Sequence, residues 1–180
     1  MLALMVSIAA FCQASYLESK AWLSQQLLER AWQSTQPGKP WPWADITPAA
    51  KLTIPKLGIE QIVLAGFSGE ALAFGPGVES IGSAHLIAGH RDSHFDFLRH
   101  LEIGDKLYLE TLGGKKTSYQ ISSTAIIDTL QHPTIQPAQD TVILSTCYPF
   151  DEWQGGGSRR YLVIAERNSL TASVNETLNF

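Results

Sequence analysis

Cys147, His90 and the pair Arg159 and Arg160 are the side chains of this chain best suited to acyl transfer, and they lie in three separate segments. These read Ala88-Gly89-His90-Arg91-Asp92, Leu144-Ser145-Thr146-Cys147-Tyr148-Pro149-Phe150 and Arg159-Arg160-Tyr161-Leu162-Val163. A thiolate attacks a carbonyl carbon, an imidazole moves protons, and a guanidinium holds the negative charge that develops on oxygen. Taken singly, each has a plainer reading. A single cysteine is most often a buried small hydrophobe. A histidine can simply bond a loop carbonyl, and arginines at a strand edge guard against edge-to-edge pairing.

Position is what favours chemistry. Cys147 follows the apolar run Val142-Ile143-Leu144, and His90 closes Leu86-Ile87-Ala88-Gly89. A side chain at a strand's end meets substrate while the strand behind it fixes its place. Of the other histidines, His85 falls within a strand, and His94, His100 and His132 fall in loops or a short polar helix. Arg159 and Arg160 enter the last strand together, and alternation lets only one of them point toward the cysteine. Arg160 shares a face with Leu162 and Ile164, Arg159 with Tyr161 and Val163, so periodicity leaves both open. A zinc shell of His85, His90, His94 and Cys147 has neither the tight ligand spacing nor the thiolates of a structural site, so no metal and no cofactor are expected.

The chain has 180 residues, 44% hydrophobic and 17% charged, with net charge −4. That is one domain with a proper core. Its scattered Lys and Arg offer no footprint for nucleic acid. The two cysteines, Cys12 and Cys147, do not make a disulfide framework. No charge occurs from Met1 to Leu17, an apolar stretch shorter than a full span and without the basic region of a signal peptide. It is read as a retained single-pass anchor. Ser15 to Gln33 is read as a helix, with Ser15 and Glu18 as a capping box. Leu17, Ala21, Leu28 and Ala31 form its stripe and Ser24 the polar gap.

Four parts result: anchor and helix at 1–35, a Pro- and Trp-rich connector at 36–50 whose tryptophans pack on the domain surface, a catalytic domain at 51–167, and a polar tail at 168–180. Strands are expected at 50–54, 61–64, 85–88, 106–111, 118–128, 141–146 and 161–166, with a hairpin at Gly113-Gly114 and a helical turn or two within Phe95 to Leu101. Many short strands separated by turn residues point to a mainly β fold, a closed or nearly closed barrel with short helices.

The three segments together resemble the sortases. The nucleophile signature of that family, Thr-Leu-x-Thr-Cys, is met by Ile143-Leu144-Ser145-Thr146-Cys147 with only its first residue changed. Gly89-His90 matches the histidine motif, Arg160-Tyr161-Leu162-Val163 the arginine-bearing final strand, and Ile54-Pro55-Lys56-Leu57-Gly58-Ile59 the first strand. Trp41-Pro42-Trp43-Ala44-Asp45, Leu72-Ala73-Phe74-Gly75-Pro76-Gly77 and Thr146-Cys147-Tyr148-Pro149-Phe150 look like the sortases of Gram-negative bacteria. The loop Val78 to Ser83 is shorter than in those relatives, and Val78 replaces a frequent histidine.

The resemblance implies an eight-stranded β-barrel on an N-terminal membrane anchor, in the inner membrane and facing the periplasm. It implies a cysteine transpeptidase that cleaves an LPXTG-like sorting signal on a protein substrate and passes the acyl group to an amine acceptor. Cys147 is then the nucleophile, His90 the acid and base, and Arg160 the oxyanion or substrate-holding residue. Arg160 is preferred because it aligns with the family arginine; Thr146 lines the oxyanion site, and Arg159 is kept as the alternative. A sorting-signal hydrolase and a non-catalytic peptide-binding barrel are the competing functions. Papain-type proteolysis fits poorly, because there the cysteine precedes the histidine and sits on a helix.

Overall fold

Strict alternation of buried and half-buried residues along Pro48–Ile54 makes the first strand, β1, and fixes which of its faces looks inward. The computed structural model describes residues 23–34, 38–132, 134–152 and 157–168. The strands that follow β1 are β2 (Ile59–Ala65), β3 (Gly77–Ile81), β4 (Ala84–Ala88), β5 (Lys106–Thr111), β6 (Lys116–Asp128), β7 (Thr141–Cys147) and β8 (Arg159–Arg167). They close into a barrel in the order β1-β2-β3-β4-β7-β8-β6-β5. The β2–β3 and β4–β7 pairs are parallel. The β1–β5, β3–β4, β5–β6, β6–β8 and β7–β8 pairs are antiparallel. Closure leaves no free sheet edge, which a mainly antiparallel sheet of this size otherwise has to protect.

One residue in two points into a single core built from every strand. Leu52, Val63, Ile87, Leu109, Leu144 and Val163 are all fully buried or nearly so. Phe95 and Leu98 come from the connection after β4, where a 3-10 turn spans Asp96–His100, and they join this core. Burial of side chains of this size stabilises the fold by about 1.5–3 kcal/mol each. At the β5–β6 hairpin Gly113 and Gly114 have φ of 97° and 80°, the left-handed conformation the turn needs.

Two expectations are corrected. Val78 to Ser83 is not a loop: Val78 to Ile81 belong to β3, paired in parallel with β2 and antiparallel with β4. Its sequence, Gly-Val-Glu-Ser-Ile, is half polar and carries no apolar run, so its strand character comes from its neighbours. The connector's tryptophans also differ from one another: Trp41 is half-buried, whereas Trp43 is 83% exposed. The turn Trp41 to Ala44, closed by the Ala44 amide donating to the Trp41 carbonyl at 3.0 Å, directs its ring outward.

The described residues fall into two compact units, divided between Pro48 and Ala49. In the first, α1 occupies residues 23–33 and buries Ser24, Leu28 and Ala31, the C-terminal part of the expected stripe. The stripe's earlier members, the capping box, Cys12 and the anchor lie outside the described residues. No helix among the described residues is long and apolar enough to cross a membrane. In the second unit a short helix α2 (Gly69–Phe74) starts at Ser68, whose Oγ accepts from the Ala71 amide at 3.0 Å.

Burial pushes the imidazoles of His85 and His94 below the ordinary histidine value, with the nearby His90 adding to the effect on His94. The unfolded chain therefore takes up these protons first, at about pH 6.5. Stability is complete above that pH and declines as the pH falls through the lower folded values. The urea midpoint is expected to fall between pH 7 and pH 5, and to fall less in the double variant His85→Asn/His94→Asn. A pH-independent midpoint across that range in the unsubstituted protein contradicts this account.

Candidate active site

Strand β7 lies between β4 and β8, and this brings the three segments together. Ala88 is level with Ser145 across the parallel β4–β7 pair, and the Gly89 amide still donates to the Ser145 carbonyl at 3.1 Å. His90 and Cys147 each stand two residues beyond that last pair, at the same end of adjacent strands. On the other side Cys147 is directly opposite Arg160. Strands lie about 4.8 Å apart, so Cys147 and Arg160 are within a side chain's reach. Val142, Leu144, Val163 and Ala165 face the core, so Cys147 and Arg160, on the alternate positions, share the outer face.

The register also separates the two arginines. Arg159 lies on the opposite face from Cys147, and its guanidinium sits 5.4 Å from the centre of the Tyr148 ring, a cation–π contact. Arg160 Nη1 donates to the carbonyls of Gly157 at 2.6 Å and Arg159 at 2.9 Å. Its Nε and Nη2 have no partner among the described residues and remain available to a bound molecule. Cys147 is half-buried and unbridged, while the His90 side chain is exposed with no hydrogen-bond partner among the described residues. Thr146 is 2% exposed and points to the other face, where its Oγ1 donates to the Gly89 carbonyl at 2.8 Å. Its hydroxyl therefore ties the cysteine strand to the histidine segment.

Arg91 is the residue whose weight the sequence did not reveal. It is 5% exposed, and its Nε donates to Asp92 Oδ1 at 2.7 Å. Nη2 donates to the Glu152 carbonyl at 2.7 Å and Nη1 to the Pro149 carbonyl. One buried guanidinium thus joins the residue after His90 to the segment just after Cys147. Arg99 makes a second clasp from the same connection: Nη1 donates to Asp151 at 2.9 Å, and the guanidinium lies 4.8 Å from the centre of the Phe150 ring. The Phe150 ring in turn meets Tyr148 and Tyr161 edge-to-face, with the Phe150 and Tyr161 ring centres 5.2 Å apart, while Tyr148 and Tyr161 stack. Gly89 completes the join. A Cβ there would meet the Phe95 ring at 3.0 Å, so a larger residue displaces the buried ring that anchors the histidine segment. The adjacency of Arg91 to His90 was the signal in the sequence, but a charged residue in a loop reads as solvated until its burial is known.

The geometry presents a thiol and a partly free guanidinium on one face of two neighbouring strands, with an imidazole free of hydrogen-bond partners among the described residues just beyond the end of a third, a set able to carry acyl transfer through a thioester. Among the described residues no group of three His, Cys, Asp or Glu side chains is gathered as a metal ion would require.

Comparison with known proteins bears on the family and the fold. A sortase-domain family model matches residues 52–168. Sortase D of Bacillus subtilis (strain 168) is 32% identical over 124 residues, covering 64% of this chain and 62% of that protein, so the chain spans less than two thirds of this relative's length. The crystal structure of sortase C-1 from Actinomyces oris superposes with a TM-score of 0.56 at 25% identity, covering 67% of this chain and 72% of that one. Sortase A of Listeria monocytogenes, at 21% identity and a TM-score of 0.57 over 67% of this chain and 87% of that one, shares the fold.

Removing the Arg91 guanidinium leaves the Pro149 and Glu152 carbonyls without their donor, so Arg91→Met is expected to cost about 1–3 kcal/mol in urea unfolding. Arg91→Lys restores the charge but not the fork of donors, and should recover less than half of that loss. Equal stability of Arg91→Met and the unsubstituted protein contradicts the clasp.

Proposed function

Because the chain belongs to the sortase family, we propose that it is a cysteine transpeptidase acting on proteins that carry an LPXTG-like sorting signal. The observation that carries this reading is the register that sets Cys147 opposite Arg160 and brings the end of the strand before His90 beside the cysteine strand at one barrel end. In the first step the Cys147 thiolate attacks the carbonyl carbon of the signal's Thr–Gly bond. The developing oxyanion is met by the free donors of Arg160. The C–N bond breaks as His90 gives a proton to the departing amine, leaving a thioester. An acceptor amine then attacks that thioester and gives a proton to His90. The C–S bond breaks, and the Cys147 thiolate, a protonated His90 and a new amide remain. Arg91 and Thr146 act as positioning residues, holding the histidine segment against the cysteine strand.

The kinship to Gram-negative sortases belongs to the same proposal. So does a single-pass anchor at the N-terminus that holds the catalytic domain on the periplasmic side of the inner membrane. The motifs around Trp41, Leu72 and Cys147 support the first, and the uncharged stretch from Met1 to Leu17 supports the second.

Intact-mass analysis of the protein with a panel of LPXTG-like peptides tests the reaction. A thioester adduct on the unsubstituted protein is expected, with none on Cys147→Ala, and added amine should convert it to an amide product. Acid as the product even at saturating amine assigns a hydrolase instead. Reversible peptide binding with no adduct, while Cys147 remains alkylatable, assigns a binding barrel. Arg160→Ala is expected to lower turnover about 100-fold or more, as loss of an oxyanion donor does. Arg159→Ala, on the other face, should change it less than about threefold. The reverse order of these two effects overturns the choice of Arg160.

A further inference from the structure

The barrel has a second mouth, at the opposite end of the strands that carry His90 and Cys147. His85 lies five residues before His90 on the same chain segment, a separation of roughly 16 Å along an extended strand. This mouth opens into a cavity of about 410 Å³, lined by His85, Leu109, Lys115, Tyr119, Asp140 and Arg167 together with small residues of the adjoining hairpins. That volume lies within the range of small-molecule sites, and barrel mouths are a common place for them.

Three features separate this cavity from an ordinary surface dimple. Its walls come from core-facing positions. Tyr119 and Leu109 are 4% and 1% exposed, and Tyr119 is directly opposite Arg167 across the β6–β8 pair. Several of its polar groups keep free donors. Neither the Tyr119 hydroxyl nor the Lys115 ammonium has a partner among the described residues, and His85 uses only Nδ1, 2.7 Å from Ser80 Oγ. The Tyr119 side chain is buried in the wall while its hydroxyl stays open to the cavity, free to donate to a bound molecule. Its rim is held in place. Ser83 Oγ donates to Gln139 Oε1 at 2.9 Å and accepts from the Asp140 amide at 3.0 Å. Asp140 is the one non-glycine residue among those described with a left-handed backbone, at φ 58°. That conformation persists only where the surroundings impose it. Here the Arg167 amide donates to the Asp140 carbonyl at 2.9 Å, and Arg167 Nη1 lies 3.5 Å from Asp140 Oδ1. Asp140 thereby holds Nη1 of a guanidinium that lines the cavity, and its other donors have no partner among the described residues.

We propose that this mouth is a binding site for a small organic anion, with its carboxylate or phosphate oxygens on Lys115, Arg167 and the Tyr119 hydroxyl and its apolar body against Leu109. The formal charge of the lining, two cations against Asp140, is positive in a protein whose net charge is −4, so the preference for an anion is local. Charged donors converging on oxyanions make the strong hydrogen bonds such a site needs. The site is independent of the transpeptidase reading, since it shares no residue with it.

The test is a titration of the ¹⁵N-labelled full-length protein with benzoate and, separately, inorganic phosphate. Sodium chloride holds the ionic strength constant, and amide shifts are followed. Saturable shifts are expected at Ser83, His85, Thr117 and Asp140, half-complete at about 1–10 mM for one or both probes, an affinity suited to a small ligand. Tighter benzoate points to a carboxylate ligand and tighter phosphate to a phosphate, and either supports the site. Lys115→Gln, on an exposed hairpin residue, should raise the half-saturation about fivefold or more, Tyr119→Phe about threefold, and Cys147→Ala should leave it unchanged. Shifts that grow linearly without saturating overturn the proposal. So do saturable shifts centred on Gly89 and Cys147, or a titration that Lys115→Gln leaves unaltered.

Discussion

Everything in the candidate site depends on the hydrogen-bonded register of β7 with its two neighbours. The strand runs parallel to β4 and antiparallel to β8. A parallel neighbour ends at the same side of the sheet, so the residues leaving β4 and β7 emerge together. An antiparallel neighbour begins where β7 ends, so the first residues of β8 stand opposite the last of β7. A slip of one residue in either pairing would turn a side chain to the other face. The interior positions resist such a slip, because Val142, Leu144, Val163 and Ala165 would then leave the core.

Register alone does not finish the site, because His90 and the residues after Cys147 lie beyond the ladders. Loops cannot rely on the repeating backbone hydrogen bonds of a sheet, and here arginines replace them. Arg91 gathers two loop carbonyls and a carboxylate from within the protein, and Arg99 adds an ion pair and a ring contact at the surface. A guanidinium suits this work because its donors are fixed in a plane and it remains charged when buried. The same residue type thus serves three ends within one small region: Arg91 and Arg99 hold backbone, Arg159 rests on an aromatic face, and Arg160 keeps donors free beside the thiol.

Much of this was legible in the sequence. Seven of the eight strands stand out as apolar or β-branched runs between turn residues, since a core-facing period of two is written locally. The positions of Cys147 and His90 at strand ends follow from the same runs. β3 was not legible, because a short polar strand draws its structure from the strands on either side rather than from its own residues. Trp43 misled for a related reason. Its size suggests burial, yet a turn's backbone sets which way its side chain points.

By itself, then, the sequence determined seven of the eight strand segments, the placing of a cysteine and a histidine at two of their ends, and the family motifs that surround them, because all of these are patterns within a few residues. The tertiary structure alone decided which arginine shares a face with Cys147, that Arg91 is buried and bridges two loops, and that His85, Lys115, Tyr119 and Arg167 surround one cavity. A strand's own alternation defines two faces but does not say which strand will lie beside it. That choice comes from pairing residues far apart in the chain, through the closure of the barrel around a common core.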